Sequence, residues 1–131
     1  MKTLKQHIDE ALKIGKDLSE WSIYSCQPNN KDELIDIINK RLIKDGNKCD
    51  LNDIDVSLIK DMSLLFFKYK FNGDISKWDV SNVKNMVSMF SNTKFNQDIS
   101  NWKINKNIAT SGIFLNCPIK EKFKPKVLQQ K

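Results

Sequence analysis

Three aspartates, Asp50, Asp74 and Asp98, recur every 24 residues, and a second pair, Asp55 and Asp79, follows five positions behind the first two. Carboxylates stacked at a fixed interval could offer a hard cation the oxygen ligands it takes. The competing role is structural. Asp and Asn side chains commonly bond to turn backbone, and that reading is preferred here, for Asn72 and Asn96 as well. The Asp55–Asp79 column breaks at Lys103, where a salt link between copies serves as well as any ligand.

Lysines are the second candidate chemistry. Lys103, Lys106, Lys120, Lys122, Lys124 and Lys126 stand against only Asp98 and Glu121 in residues 95–131, so the net charge of +6 collects at one end. Such a set could contact phosphates and give salt-dependent, sequence-independent binding. Recognition of single strands also wants aromatics interleaved with the charge, and only Phe123 qualifies in the tail. The alternatives are a solvated basic tail, or attraction to an acidic protein surface or a ribonucleoprotein. Trp21, outside the repeated pattern, joins these lysines as a candidate partner-binding residue, since tryptophans anchor interfaces. Trp78 and Trp102 repeat within the apolar pattern and are assigned to the core, as are Met62, Met86 and Met89.

Nothing points to catalysis. His7 is the single histidine, and Cys26, Cys49 and Cys117 lack the close pairs of a zinc site. No phosphate-binding, dinucleotide or nucleophile-elbow motif occurs. We therefore expect a non-enzyme, with no catalytic, cofactor-binding or metal residues.

The elements that position these groups follow from an internal repeat. Shifting residues 71–94 forward by 24 places Phe71, Asn72, Asp74, Ile75, Ser76, Trp78, Phe90 and Asn92 on Phe95, Asn96, Asp98, Ile99, Ser100, Trp102, Phe114 and Asn116. A backward shift aligns Asp79, Val80, Ser81, Met86 and Phe90 with Asp55, Val56, Ser57, Met62 and Phe66. A fixed period in the 20s marks a stack whose units bury their apolar faces on one another. Within a unit, Trp78 and Val80 read as a short strand. Ser81 reads as an N-cap, and Val83, Met86, Met89 and Phe90 follow at helical spacing. The third copy decays after Trp102, as a terminal unit does.

Residues 3–21 show the stripe of an amphipathic helix, and Asn30 caps a second one, with Asp32 and Glu33 in its first turn. Its buried face comprises Leu34, Ile37, Ile38 and Leu42, with Ile43 at the edge, and Gly46 is its stop. The chain thus divides into a helical cap (1–46), three repeats (47–70, 71–94, 95–118) and a basic tail (119–131). The tail is expected to be irregular, with Phe123 or Val127 packing back. The start of the chain lacks the apolar core of a signal peptide, no run is long enough to span a membrane, and the odd cysteine set suits reduced thiols. These features suggest a cytoplasmic protein.

The unit NGDISKWDVSNVKNMVSMF resembles the BspA-like leucine-rich repeat family, whose members occur in bacterial and mycoplasma surface proteins and in small proteins of phages and mobile elements. The resemblance covers residues 47–118 and implies binding surfaces, with no catalytic residues to transfer. The expected fold is an α/β solenoid of leucine-rich-repeat type, about three strand–helix units capped by two N-terminal helices. The expected function is a small intracellular protein-binding module, with a phage inhibitor of a host defence complex (anti-CRISPR-like) as its sharpest form. A nucleic-acid binder using the lysine-rich end and a fragment of a surface adhesin are the alternatives.

Overall fold

The computed structural model describes residues 27–130. The helix expected over residues 3–21 lies outside them, as do His7, Trp21 and Cys26.

Helix α1 spans Lys31–Asp45. The Asn30 side chain accepts the Glu33 amide at 3.0 Å, and the Glu33 carboxylate accepts the Asn29 amide at 2.7 Å, so two of the orphan donors at the helix start are satisfied. At the other end Gly46 adopts φ 88° and its N–H donates to the Leu42 carbonyl. Leu34 and Ile38 are buried against the repeats, Ile37 and Leu42 are half-buried, and Ile43 is exposed. Arg41 ties the last turns of α1 to the first repeat. Its guanidinium donates to Asp53 at 2.7 Å, Asp45 at 3.2 Å and the Asp50 carbonyl at 3.0 Å.

The repeats do not form the expected strand–helix units. Among the described residues α1 is the one α-helix, and pairing of strand type is limited to isolated parallel bridges, Asp61 to Asn85 and Asn85 to Ala109. The α/β solenoid capped by two helices is therefore corrected to a stack of three coils built from turns, with α1 packed against the first. We number these coils 1 (47–70), 2 (71–94) and 3 (95–118).

Two local causes explain the difference. First, an acceptor side chain captures the amide two residues on at nearly every corner: Asp55 takes Ser57, Asp61 takes Ser63, Asp74 takes Ser76, Asp79 takes Ser81, and Asn85 takes Val87. Such local bonds offer the backbone an alternative to a helix or a ladder. Ser81 thus receives a cap from Asp79 and begins no helix. Second, each coil carries two left-handed residues four apart, Leu64 and Lys68, Ser88 and Asn92, Gly112 and Asn116. A left-handed residue breaks a right-handed helix. It redirects alternate amides of the segment away from the preceding turn and toward the neighbouring coil.

The result is a regular ladder that runs one way beyond its first bridge, where Lys84 donates back to Lys60 at 2.7 Å and Ala109 to Lys84 at 3.1 Å. The N–H groups of Met62, Leu64, Phe66 and Lys68 in coil 1 donate to the carbonyls of Asn85, Val87, Met89 and Ser91 in coil 2 at 2.8–3.1 Å. Those of Met86, Ser88, Phe90 and Asn92 donate in turn to Ala109, Ser111, Ile113 and Leu115 in coil 3 at 2.7–3.0 Å. The amides in between close turns onto carbonyls three residues back, as Leu65 does on Met62 and Met89 on Met86.

Inside the coils, equivalent aromatics stack. Phe66, Phe90 and Phe114 form one column with centroids 5.6 and 5.8 Å apart, and Phe71 lies 6.1 Å from Phe95. Trp78 and Trp102 are nearly parallel at 6.4 Å and both buried, as expected from their repetition, and Met62, Met86 and Met89 are buried beside them. Burial of each such side chain contributes on the order of 2 kcal/mol. Gly73 sits where a side chain has no room, since a Cβ there would lie 1.9 Å from the Cys49 carbonyl oxygen.

Residues 119–130 continue the stack for part of a turn. Ile119 and Phe123 stand 24 residues beyond Phe95 and Ile99. Ile119 is buried, and the Phe123 carbonyl accepts the Ile99 amide at 2.9 Å. The Asn72 side chain accepts the Asn96 amide at 2.8 Å, and the Asn96 side chain accepts the Lys120 amide at 3.0 Å, which carries one column into the tail. Two 3₁₀ turns, Glu121–Phe123 and Lys126–Leu128, complete it, and Val127 is exposed.

Candidate functional site

The carboxylate columns are occupied with backbone. Asp50, Asp74 and Asp98 accept the amides of Asn52, Ser76 and Ser100 at 2.8–2.9 Å. Asp79 and Asp98 each also accept the following serine hydroxyl at 2.6 Å. Those hydroxyls, then the amides, hold both carboxyls below the usual carboxylate range, and in Asp98 Lys122 adds to the effect. The preferred structural role of these aspartates is thus the one observed. Among the described residues no group of three or more His, Cys, Asp or Glu side chains is placed to hold a metal ion.

The indoles of Trp78 and Trp102 are also committed to the fold. Each Nε1 donates at 2.9 Å to a carbonyl one coil back, Leu51 for Trp78 and Ile75 for Trp102.

The lysines divide into distinct environments. Lys120 and Lys122 flank the Phe123 ring, their ammonium groups 5.6 and 5.5 Å from its centroid. Lys124 is largely covered, pairs with Glu121 and lies 5.4 Å from the centroid of Phe114. The pairing with Lys124 and the Gln130 amide keeps the Glu121 carboxyl low. Lys103, Lys106 and Lys126 are exposed, the first two on coil 3 and the third in the last 3₁₀ turn. The tail thus brings Lys120 and Lys122 together on one aromatic ring and takes Lys124 inward. Trp21 lies outside the described residues.

Two features escaped the sequence reading. One is a closed start. Lys31 reaches from α1 into coil 1, where its ammonium donates to the Ser63 carbonyl at 3.2 Å, the Ser63 hydroxyl at 3.1 Å and Asp61 at 3.3 Å. It also lines an open cleft of about 460 Å³ with Asn29, Asn30, Leu58, Lys60 and Asp61. The other is an open finish. In coil 3 the N–H groups of Thr110, Gly112, Phe114 and Asn116 occupy the places whose counterparts in coils 1 and 2 bond to the next coil, and they have no acceptor among the described residues. Gly112 at φ 65° and Asn116 at φ 55° keep the backbone of Ser88 at 55° and Asn92 at 57°. The donor row is therefore set in the conformation that binds a carbonyl row twice elsewhere in the molecule. The 24-residue spacing of Asn92 and Asn116, a residue type tolerant of positive φ, was the available signal.

Among the described residues no helix is long and apolar enough to cross a membrane. A family model described as "Mycoplasma protein of unknown function, DUF285" matches residues 39–126, from the last turns of α1 through the three coils into the tail. No curated protein and no solved structure matches the chain.

Proposed function

We propose that this chain, which belongs to the DUF285 family, is a non-enzymatic module that binds another protein through the end of its stack. The observation that carries this reading is the row of four backbone donors on coil 3, held in the binding conformation and without acceptors among the described residues. Unpaired ladder edges are ready templates for another chain. The resemblance to BspA-like repeats agrees with a binding role. The narrower idea of a phage-borne inhibitor of a host defence complex rests on that analogy alone.

A second reading has its own observation. Lys120 and Lys122 bracket the half-buried Phe123 ring, and charge beside an aromatic face is the combination that single-stranded nucleic acid uses. Affinity capture from lysate, run with and without nuclease, separates the two. A stoichiometric protein that survives nuclease supports the protein-binding module. Capture that vanishes with nuclease and falls steeply with salt supports the nucleic-acid reading.

A further inference from the structure

Resting on the protein-binding reading, we infer that the open edge of coil 3 takes up a backbone segment of an acidic protein partner, laid parallel to residues 110–116 so that alternate carbonyls accept from Thr110, Gly112, Phe114 and Asn116. The register is already demonstrated inside the molecule. Met86, Ser88, Phe90 and Asn92 donate to carbonyls at every second position of a neighbouring segment running the same way, through the same backbone conformation. The third coil repeats the donors, and among the described residues it lacks the acceptors.

The molecule also argues against two other occupants. A second copy cannot stack head to tail without displacing α1, because Lys31 already holds the Ser63 carbonyl on the first coil. Two copies meeting tail to tail would oppose donors to donors. A further coil of the same repeat is blocked at the aromatic column, where Phe90 stacks on Phe114 and the Lys124 ammonium lies over the ring a next phenylalanine would need. A partner segment that follows the same turning path with glycine at that place avoids the ring.

Charge selects the partner. Lys103, Lys106, Lys120, Lys122 and Lys126 are exposed around this end. Its two acids are engaged internally, Asp98 with Ser100 and Glu121 with Lys124 and the Gln130 amide. Complementary potential steers association and fixes register, so an acidic strand is preferred to a neutral or basic one.

The test is residue-resolved amide hydrogen exchange by NMR on the full chain. The probe is a synthetic peptide of alternating glutamate and glycine, with a lysine–glycine peptide and a single-stranded oligonucleotide as comparisons. The expected result is slowing of the Gly112, Phe114 and Asn116 amides by at least about tenfold with the acidic peptide alone. Lys120→Gln with Lys122→Gln should weaken the peptide's affinity while the same amides remain the ones protected. Unchanged exchange at these amides overturns the inference, whether or not the peptide binds elsewhere, and so does equal protection by the lysine peptide or the oligonucleotide. A protein captured after nuclease treatment whose binding leaves these amides exposed overturns the edge assignment and leaves the protein-binding module standing.

Discussion

The Trp102 indole donates to the Ile75 carbonyl at 2.9 Å, and Trp78 makes the same bond to Leu51 one coil earlier. Each carbonyl also accepts a local amide, Ile54 on Leu51 at 3.1 Å and Trp78 on Ile75 at 3.2 Å, so each indole fills a second acceptor position. Trp102→Phe keeps most of the ring and removes the indole donor, leaving the Ile75 carbonyl with the Trp78 amide alone. We expect a loss of about 0.5–1.5 kcal/mol in urea unfolding, with a similar loss for Trp78→Phe. Near-neutral values for both would show that the bond is replaced by water.

Gly73→Ala should cost about 3 kcal/mol or more, since overpacking at a backbone contact cannot be relieved by rotating a side chain. The added methyl would meet the Cys49 carbonyl oxygen at 1.9 Å. The equivalent position in coil 3 is Gln97, so Gln97→Ala in the same unfolding assay is the contrasting, mild substitution.

Leu64 holds φ 60° while its side chain is 53% exposed. A branched apolar residue in the left-handed region is strained by about 1 kcal/mol, and asparagine tolerates that region better. Leu64→Asn should therefore raise stability by up to about 1 kcal/mol, seen as a higher melting temperature. A fall would mean that the exposed leucine makes contacts worth more than the strain.

Acid should weaken the fold. Asp79 and Asp98 have carboxyls held below the usual range, first by the serine hydroxyls and then by the serine amides. A depressed folded value means that the unfolded chain binds protons first. The contribution is complete above the ordinary carboxylate value of about 4 and is lost as pH falls through the lower folded value. Denaturant midpoints measured from neutral pH downward should decline below about pH 4. Asp79→Asn with Asp98→Asn should flatten that decline, because asparagine still accepts the amide and does not titrate.

Much of this architecture was legible in the residues. Asn30, Leu34, Ile38 and Gly46 bound α1 as the cap, stripe and stop signals require. The 24-residue shift identified the buried methionines and stacked tryptophans. The repeat interior was misread because Val83, Met86, Met89 and Phe90 satisfy a helical stripe, yet the same spacing also suits side chains pointing inward from the corners of a turning chain. Left-handed residues would have exposed the error had they been glycines, but Leu64, Lys68 and Ser88 are not. In the tail, Ile119 and Phe123 lay on the repeat shift and were readable as its continuation. The inward turn of Lys124 onto Phe114 depends on tertiary contact and was not.

In the ladder of residues 62–68 and 86–92 the alternate N–H groups that cross between coils all face forward, and the carbonyls that accept them all face back. Peptide dipoles aligned this way add along the stack, as they do along a helix, so this face presents positive ends at coil 3 and negative ends at coil 1. Lys31 places its ammonium at the negative ends. The polarity belongs to the backbone, so it persists when the surface lysines are neutralised.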